Sequence, residues 1–178
     1  MVYVLNISFD LESEQKIMNY LTNIKELGIS SYLLDMGKFP YITIGGFRDI
    51  DITHASETLK KYCTELEKFK IRFSSIGIFT HPTTGVFLAP VANKKLLDLH
   101  EGLHKKFSVY SVEGFEYYLP DVWVPHCAID VSADVNVVCK STEYLMRNFK
   151  PFDVEITNIG WVEASKTTIK RLEYFELR

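Results

Sequence analysis

Two short segments of one build, set half a chain apart, constrain this sequence more than anything else in it. The first is Phe39-Pro40-Tyr41-Ile42-Thr43-Ile44-Gly45-Gly46-Phe47, and the second is Trp123-Val124-Pro125-His126-Cys127-Ala128-Ile129-Asp130. In each, a proline closes a loop, a ring-bearing residue follows it directly, and small or apolar residues continue as a strand. Side chains alternate faces along a strand, so Tyr41 shares a face with Thr43, and His126 shares one with Ala128. Ile42, Ile44, Cys127 and Ile129 take the opposite faces. The two starts, at positions 41 and 126, lie 85 residues apart in a chain of 178. That spacing points to an internal duplication.

The order of elements repeats in the same way. Val2 to Phe9 alternates as a strand, and Asp10 caps a helix with Glu12 and Glu14 in its first turn. Ile17, Leu21, Ile24 and Leu27 recur at helical spacing, and Gly28 closes that helix. Gly45-Gly46 marks a bulge or a close backbone approach. A second helix is expected from about Thr53 to Phe69, with Ala55, Leu59, Tyr62, Leu66 and Phe69 on one stripe. Ile71 to Phe79 returns to strand, and His81-Pro82-Thr83-Thr84-Gly85 turns it into Val86 to Leu88 as a hairpin. Asn93 caps a third helix through Phe107. A fourth covers Asp134 to Asn148, with Pro151 stopping it. Two strands finish the chain, Val154 to Val162 and Ile169 to Leu177. The order of strand, helix, strand, helix, strand in both halves gives an α+β fold, one domain over residues 1–178.

Composition narrows the function classes. A formal charge of −3 gives no global field to draw the chain onto a nucleic-acid backbone, so no DNA-binding surface is expected. No apolar run reaches the length of a membrane span. Met1-Val2-Tyr3-Val4-Leu5-Asn6 lacks the charged start and cleavage site of a signal peptide. Cys63, Cys127 and Cys139 are an odd number without paired spacing, which suits reduced thiols in the cytoplasm, and Cys127 is expected in the core. The expectation is a cytoplasmic monomer.

A Pro-His-x-Thr-x segment, repeated about half a chain apart, marks the 2H phosphoesterase superfamily, which includes the 2'-5' RNA ligase-like proteins. The sequence resembles that superfamily, and most closely its bacterial 2'-5' RNA ligase-like members. The likeness runs through the opening strand and helix, the Tyr41 strand, Val86-Phe87-Leu88-Ala89-Pro90 with its Leu-rich helix, Trp123-Val124-Pro125-His126, and Ile159-Gly160-Trp161-Val162-Glu163. It implies two pseudo-symmetric lobes with mostly antiparallel sheets flanking a cleft lined by Tyr41, Thr43, His126 and Ala128. Neither motif is intact: Tyr41 stands in the place of the first histidine and Ala128 in that of the second threonine.

In the family pattern one histidine takes a proton from the attacking hydroxyl and the other gives one to the leaving oxygen. The threonines hold non-bridging phosphate oxygens, and neither a metal nor an organic cofactor is required. Imidazole titrates near neutrality, so two rings can serve as base and acid at one pH. By resemblance, then, His126 and Tyr41 are the catalytic pair, and Thr43 serves as both catalytic and substrate-binding residue. A phenol of reference pKa about 10 is a poor base at pH 7, though it can donate a proton. Ala128 lines the substrate site without a hydroxyl. Two readings stay open. One is a weak phosphodiesterase acting on a 2',3'-cyclic nucleotide or a 2'-5'-linked RNA end. The other is a module that binds a nucleotide or RNA end without cutting it.

Smaller signals remain. Tyr118 offers a stacking surface for a base and His81 borders the cleft as a further substrate-binding candidate, while Trp123 is expected in the core. Arg171 and Lys170 are within the range of candidates for phosphate. His100-Glu101-Gly102-Leu103-His104 matches His-Glu-x-x-His, whose two rings share a helix face and can bind zinc with Glu101 as base. Glycine in that helix and the lack of a third ligand downstream argue against it.

Overall fold

The computed structural model describes residues 2–81 and 83–178. Met1 at the chain start and Pro82 in the expected hairpin turn lie outside the described residues. In order come β1 (Val2–Phe9), α1 (Leu11–Glu26), α2 (Tyr32–Asp35), β2 (Ile42–Phe47), α3 (Ile52–Cys63), β3 (Phe69–Phe79) and β4 (Gly85–Pro90). They are followed by α4 (Lys94–Lys106), a 3-10 turn (Glu116–Tyr118), β5 (Cys127–Val131), α5 (Val135–Asn148), β6 (Phe152–Ala164) and β7 (Ile169–Glu176). Among the described residues, no helix is long and apolar enough to cross a membrane.

Local chemistry starts the four long helices. Asp10, Asp51, Asn93 and Asp134 each accept a backbone N–H of the first turn, from Ser13, His54, Leu96 and Asn136. A cap of this kind satisfies a donor the helix leaves orphaned and is worth about 1 kcal/mol. The second helix is shorter than its stripe suggested, ending at Cys63 and not at Phe69. Lys68 donates its backbone N–H to Arg178 O, and Arg178 donates to Leu66 O, so this stretch pairs with the end of the chain. Phe69 opens β3 opposite Ile156.

All strand pairs are antiparallel, in the order β2-β1-β6-β3-β4-β5 with β7 added on β6. Exchanging β1 with β4, β2 with β5 and β3 with β6 reverses that order onto itself. The duplication read from the 85-residue spacing is therefore the symmetry of the sheet, with the β3–β6 pair at its centre. The two lobes are halves of one continuous seven-stranded sheet, because β6 serves both. Its start, from Phe152, pairs with β3, and the rest pairs with β1 on one edge and β7 on the other. The terminal strands β2 and β5 touch, so the sheet curls until its ends meet.

The strand β2 is buried along its whole length and shows no solvent face. Its register against β1 slips between Leu5 and Asn6, which sit opposite Gly45 and Thr43, leaving Ile44 as the bulged residue. A Cβ on Gly46 would come 2.6 Å from the Phe115 ring, so the glycine pair marks both a bulge and a close approach. Trp161 anchors the core beneath, edge-on to Phe47 and Phe107 at 5.9 and 5.3 Å between centroids. Cys127 is fully buried, as expected.

Candidate functional site

Where the two ends of the sheet meet, the two motif segments meet as well. The Cys127 thiol lies against the Tyr41 backbone amide. Trp123 donates its indole N–H to the Thr43 carbonyl at 3.0 Å, which ties the loop before β5 to β2. The Tyr118 hydroxyl lies near the Thr43 side chain. The Tyr118 ring in turn lies nearly parallel to His126, 16° apart in plane with centroids at 6.3 Å. Phe79 stands edge-on to His126 at 4.6 Å, and Phe87 lies at 5.4 Å. Tyr41, Thr43, Tyr118 and His126 are thus gathered in one place. Ala128 packs on the core and pairs with Phe87 across β4 and β5. His81 stands exposed in the hairpin turn, with no hydrogen bond to the others among the described residues.

The groove is not an open trough. Tyr41 is 6% and Thr43 8% exposed. Tyr118, Phe79 and Phe87, whose roles as walls the strand patterns did not announce, fill the space around His126. Cavities of about 420 Å³ beside α3 and β7 and about 380 Å³ beside α3 and α4 are lined by none of these residues.

The state of His126 follows from its surroundings. Nδ1 lies 2.8 Å from the Val124 carbonyl oxygen, which can only accept, so Nδ1 carries the hydrogen and the neutral ring keeps its lone pair on Nε2. Burial outweighs that hydrogen bond and, helped by the charge of Lys38, brings the ring's pKa down to about 4. At neutral pH His126 is an uncharged base. Burial pushes the Tyr41 phenol well above its ordinary value, and Tyr118 likewise. A phenol made less acidic is a poorer proton donor, which weakens the acid role given to Tyr41.

Lys38 escaped the sequence reading. Gly37 has φ +85° and donates to Leu34 O while Lys38 donates to Leu33 O, the paired bonds of a Schellman turn that ends α2. A Cβ on Gly37 would also come 2.8 Å from Ile169 O. That turn delivers Lys38 into the interior, 7% exposed, with Nζ 3.0 Å from the Tyr41 ring centroid. Burial, opposed by the nearby Cys127 thiol, brings its amine down to about 7. The only advance signal was a single charge between Gly37 and Phe39, which reads equally as a solvated loop lysine. Nearby, Arg171 covers Phe39 at 3.9 Å and Tyr174 at 4.9 Å while pairing with Glu14.

The His-Glu-x-x-His segment does other work. His100 Nε2 faces Tyr118 O at 2.8 Å and His104 Nε2 faces Ile44 O at 2.9 Å, so both rings donate to backbone carbonyls of the site. His100 also stacks flat on Trp123, centroids 3.9 Å apart, so Trp123 lies half-buried against this ring. The Nε2–H of each ring is taken by a backbone carbonyl, and no group of three His, Cys, Asp or Glu among the described residues is arranged to hold a metal. These histidines brace β2 and the Tyr118 turn.

Comparison with known proteins bears out the fold. TT0787 of Thermus thermophilus superposes with a TM-score of 0.63 at 14% identity, over 100% of this chain and 98% of that one. E. coli LigT superposes with a TM-score of 0.60 at 10% identity, over 99% and 96%. LigT has also been solved with 3'-AMP and with ATP. No curated protein sequence matches the chain. A family model described as the 2'-5' RNA ligase superfamily matches residues 37–168, which hold both motif segments, the His100 helix and all of β6. The chain belongs to the 2'-5' RNA ligase superfamily.

Proposed function

We propose that this protein acts on a phosphodiester, a 2',3'-cyclic nucleotide or a 2'-5'-linked RNA end, by metal-independent proton transfer through His126. One observation carries the reading: a neutral imidazole with a free Nε2 lone pair stands beside Tyr118, whose hydroxyl lies near Thr43, where two symmetry-related strands meet. In hydrolysis of a 2',3'-cyclic phosphate, Nε2 takes a proton from a water whose oxygen bonds to phosphorus. The bond from phosphorus to one ribose oxygen breaks, and that oxygen takes its proton from solvent. The second imidazole of the family pattern would have supplied that proton. Its loss costs about 10²- to 10⁴-fold in rate, so slow turnover is expected. The nucleotides held by LigT fit the same ligand class, and three free thiols suit the cytoplasm as its compartment.

The alternative is a module that binds the same ligands without cutting them. The raised Tyr41 phenol and the missing hydroxyl at Ala128 favour it. Incubation with 2',3'-cyclic nucleotides at neutral pH separates the two. Slow hydrolysis that disappears in His126→Ala supports the enzyme, and saturable binding without turnover supports the module. If neither occurs, both readings fail. Pairing Tyr41→His with Ala128→Thr restores both motifs, and that variant should hydrolyse the same compounds roughly tenfold faster or more, a fraction of what one proton-transfer partner supplies. A folded double variant no faster than wild type would contradict this account of what the chain lacks.

A further inference from the structure

An ammonium group buried without a counter-charge is costly, and proteins ordinarily pair it or keep it in water. Lys38 does neither. It is 7% exposed and makes no ion pair or side-chain hydrogen bond among the described residues. The groups facing it are Tyr41, His126 and Cys127. None is an anion at neutral pH: the phenol is pushed up, the imidazole is neutral, and burial raises the thiol to about 11. Glu14 pairs with Arg171. The Tyr41 π face compensates the charge only in part. A lysine placed here for packing would carry its amine out to solvent along its flexible stem. The Gly37 turn aims it inward instead, toward the histidine.

We propose that Lys38 is the phosphate-holding residue of this cleft: a tetrahedral oxyanion seated among Lys38, His126 and Thr43 supplies the counter-charge that the free protein lacks. This rests on reading the cleft as a phosphodiester site. Lys38 does by charge what the hydroxyl absent at Ala128 would do by hydrogen bonding. An amine brought down to about 7 is largely neutral at pH 8, and a bound oxyanion returns it to the charged form. Binding is therefore coupled to proton uptake.

Calorimetry with sulfate, which does not itself titrate in this range, tests the proposal at pH 8 in buffers of different ionisation enthalpy. Wild type should bind sulfate and take up close to one proton. Lys38→Met should bind it roughly 10- to 100-fold more weakly, the effect of losing a charged hydrogen-bond donor, and without proton uptake. The variant should also melt about 2–6 °C higher, since it removes the cost of burying an amine that must shed its proton to fold. A lysine that only supports the fold would lower the melting temperature when replaced. Equal sulfate binding by both proteins would overturn the role of Lys38, and so would a wild type that ignores sulfate or binds it without taking up a proton. The wild-type proton count needs no variant to fold. The cyclic-nucleotide assay reports separately on the phosphodiester reading, so failure of one does not pass for failure of the other.

Discussion

Acidification from pH 7 to pH 4 should remove on the order of 5 kcal/mol of folding stability, enough to unfold many domains of this size. Three histidines cause it. Burial holds His100 and His126 down to about 4, and His104 is lowered too, with the neighbouring charge of His104 adding to the shift at His100. In the unfolded chain all three titrate near 6.5. Between those values the unfolded chain binds protons that the folded one refuses, so stability is complete above about pH 6.5 and falls as pH drops. The histidines' share of the loss ends once the pH is below about 4. His126 keeps some contact with solvent, so its share is smaller than that of the enclosed His100. Lys38 adds nothing in this window, because an amine lowered to about 7 is already charged below it. Urea unfolding at pH 7, 5.5 and 4.5 would show the midpoint falling at each step. An unchanged midpoint from pH 7 to 5 would contradict the description of these rings as buried and neutral.

Asp130→Ala should cost about 3–5 kcal/mol, because it strips a buried carboxylate from three donors at once. Asp130 is 2% exposed and accepts the Ser30 hydroxyl at 2.7 Å, the Ser141 hydroxyl at 2.6 Å and the Val131 backbone N–H at 2.9 Å. Ser30 precedes α2 and the Lys38 turn, Ser141 lies on α5, and Asp130 itself lies on β5 four residues after His126. One carboxylate thus fixes the positions of Lys38 and His126 relative to each other. The urea midpoint should drop with an unchanged slope, while Asp130→Asn, which keeps an acceptor, should lose less. A loss under about 1 kcal/mol for Asp130→Ala would mean that the two hydroxyls and the amide find other partners.

What the sequence disclosed and what it withheld divide along physical lines. Helix starts were legible because the capping side chain and the N–H it accepts lie two or three residues apart, as at Asp10, Asn93 and Asp134. The repeated spacing announced a duplicated unit, and it was the family resemblance that implied Tyr41 and Thr43 would meet His126 across a cleft. The end of the second helix was misjudged at Phe69, because its last turns were decided by bonds to Arg178, more than a hundred residues away. Lys38 was invisible for a similar reason. Its burial depends on a turn, an aromatic ring and a strand from three places in the chain, and no periodicity records that. Phe79 and Phe87 read as ordinary strand residues because alternation assigns a face without naming what stands opposite. The histidines of α4 carried a motif's outline, and only their distances to Tyr118 O and Ile44 O showed that they brace the groove.

The thirteen-residue strand β6 has a consequence for how a ligand gets in. A protein of two separate leaves can gape by bending at the seam, but here the seam is itself a hydrogen-bonded ribbon common to both leaves. Spreading Tyr41 from His126 would mean tearing that ribbon's rungs. The gap between them is therefore a caliper with a locked jaw, held to one span by the shared strand.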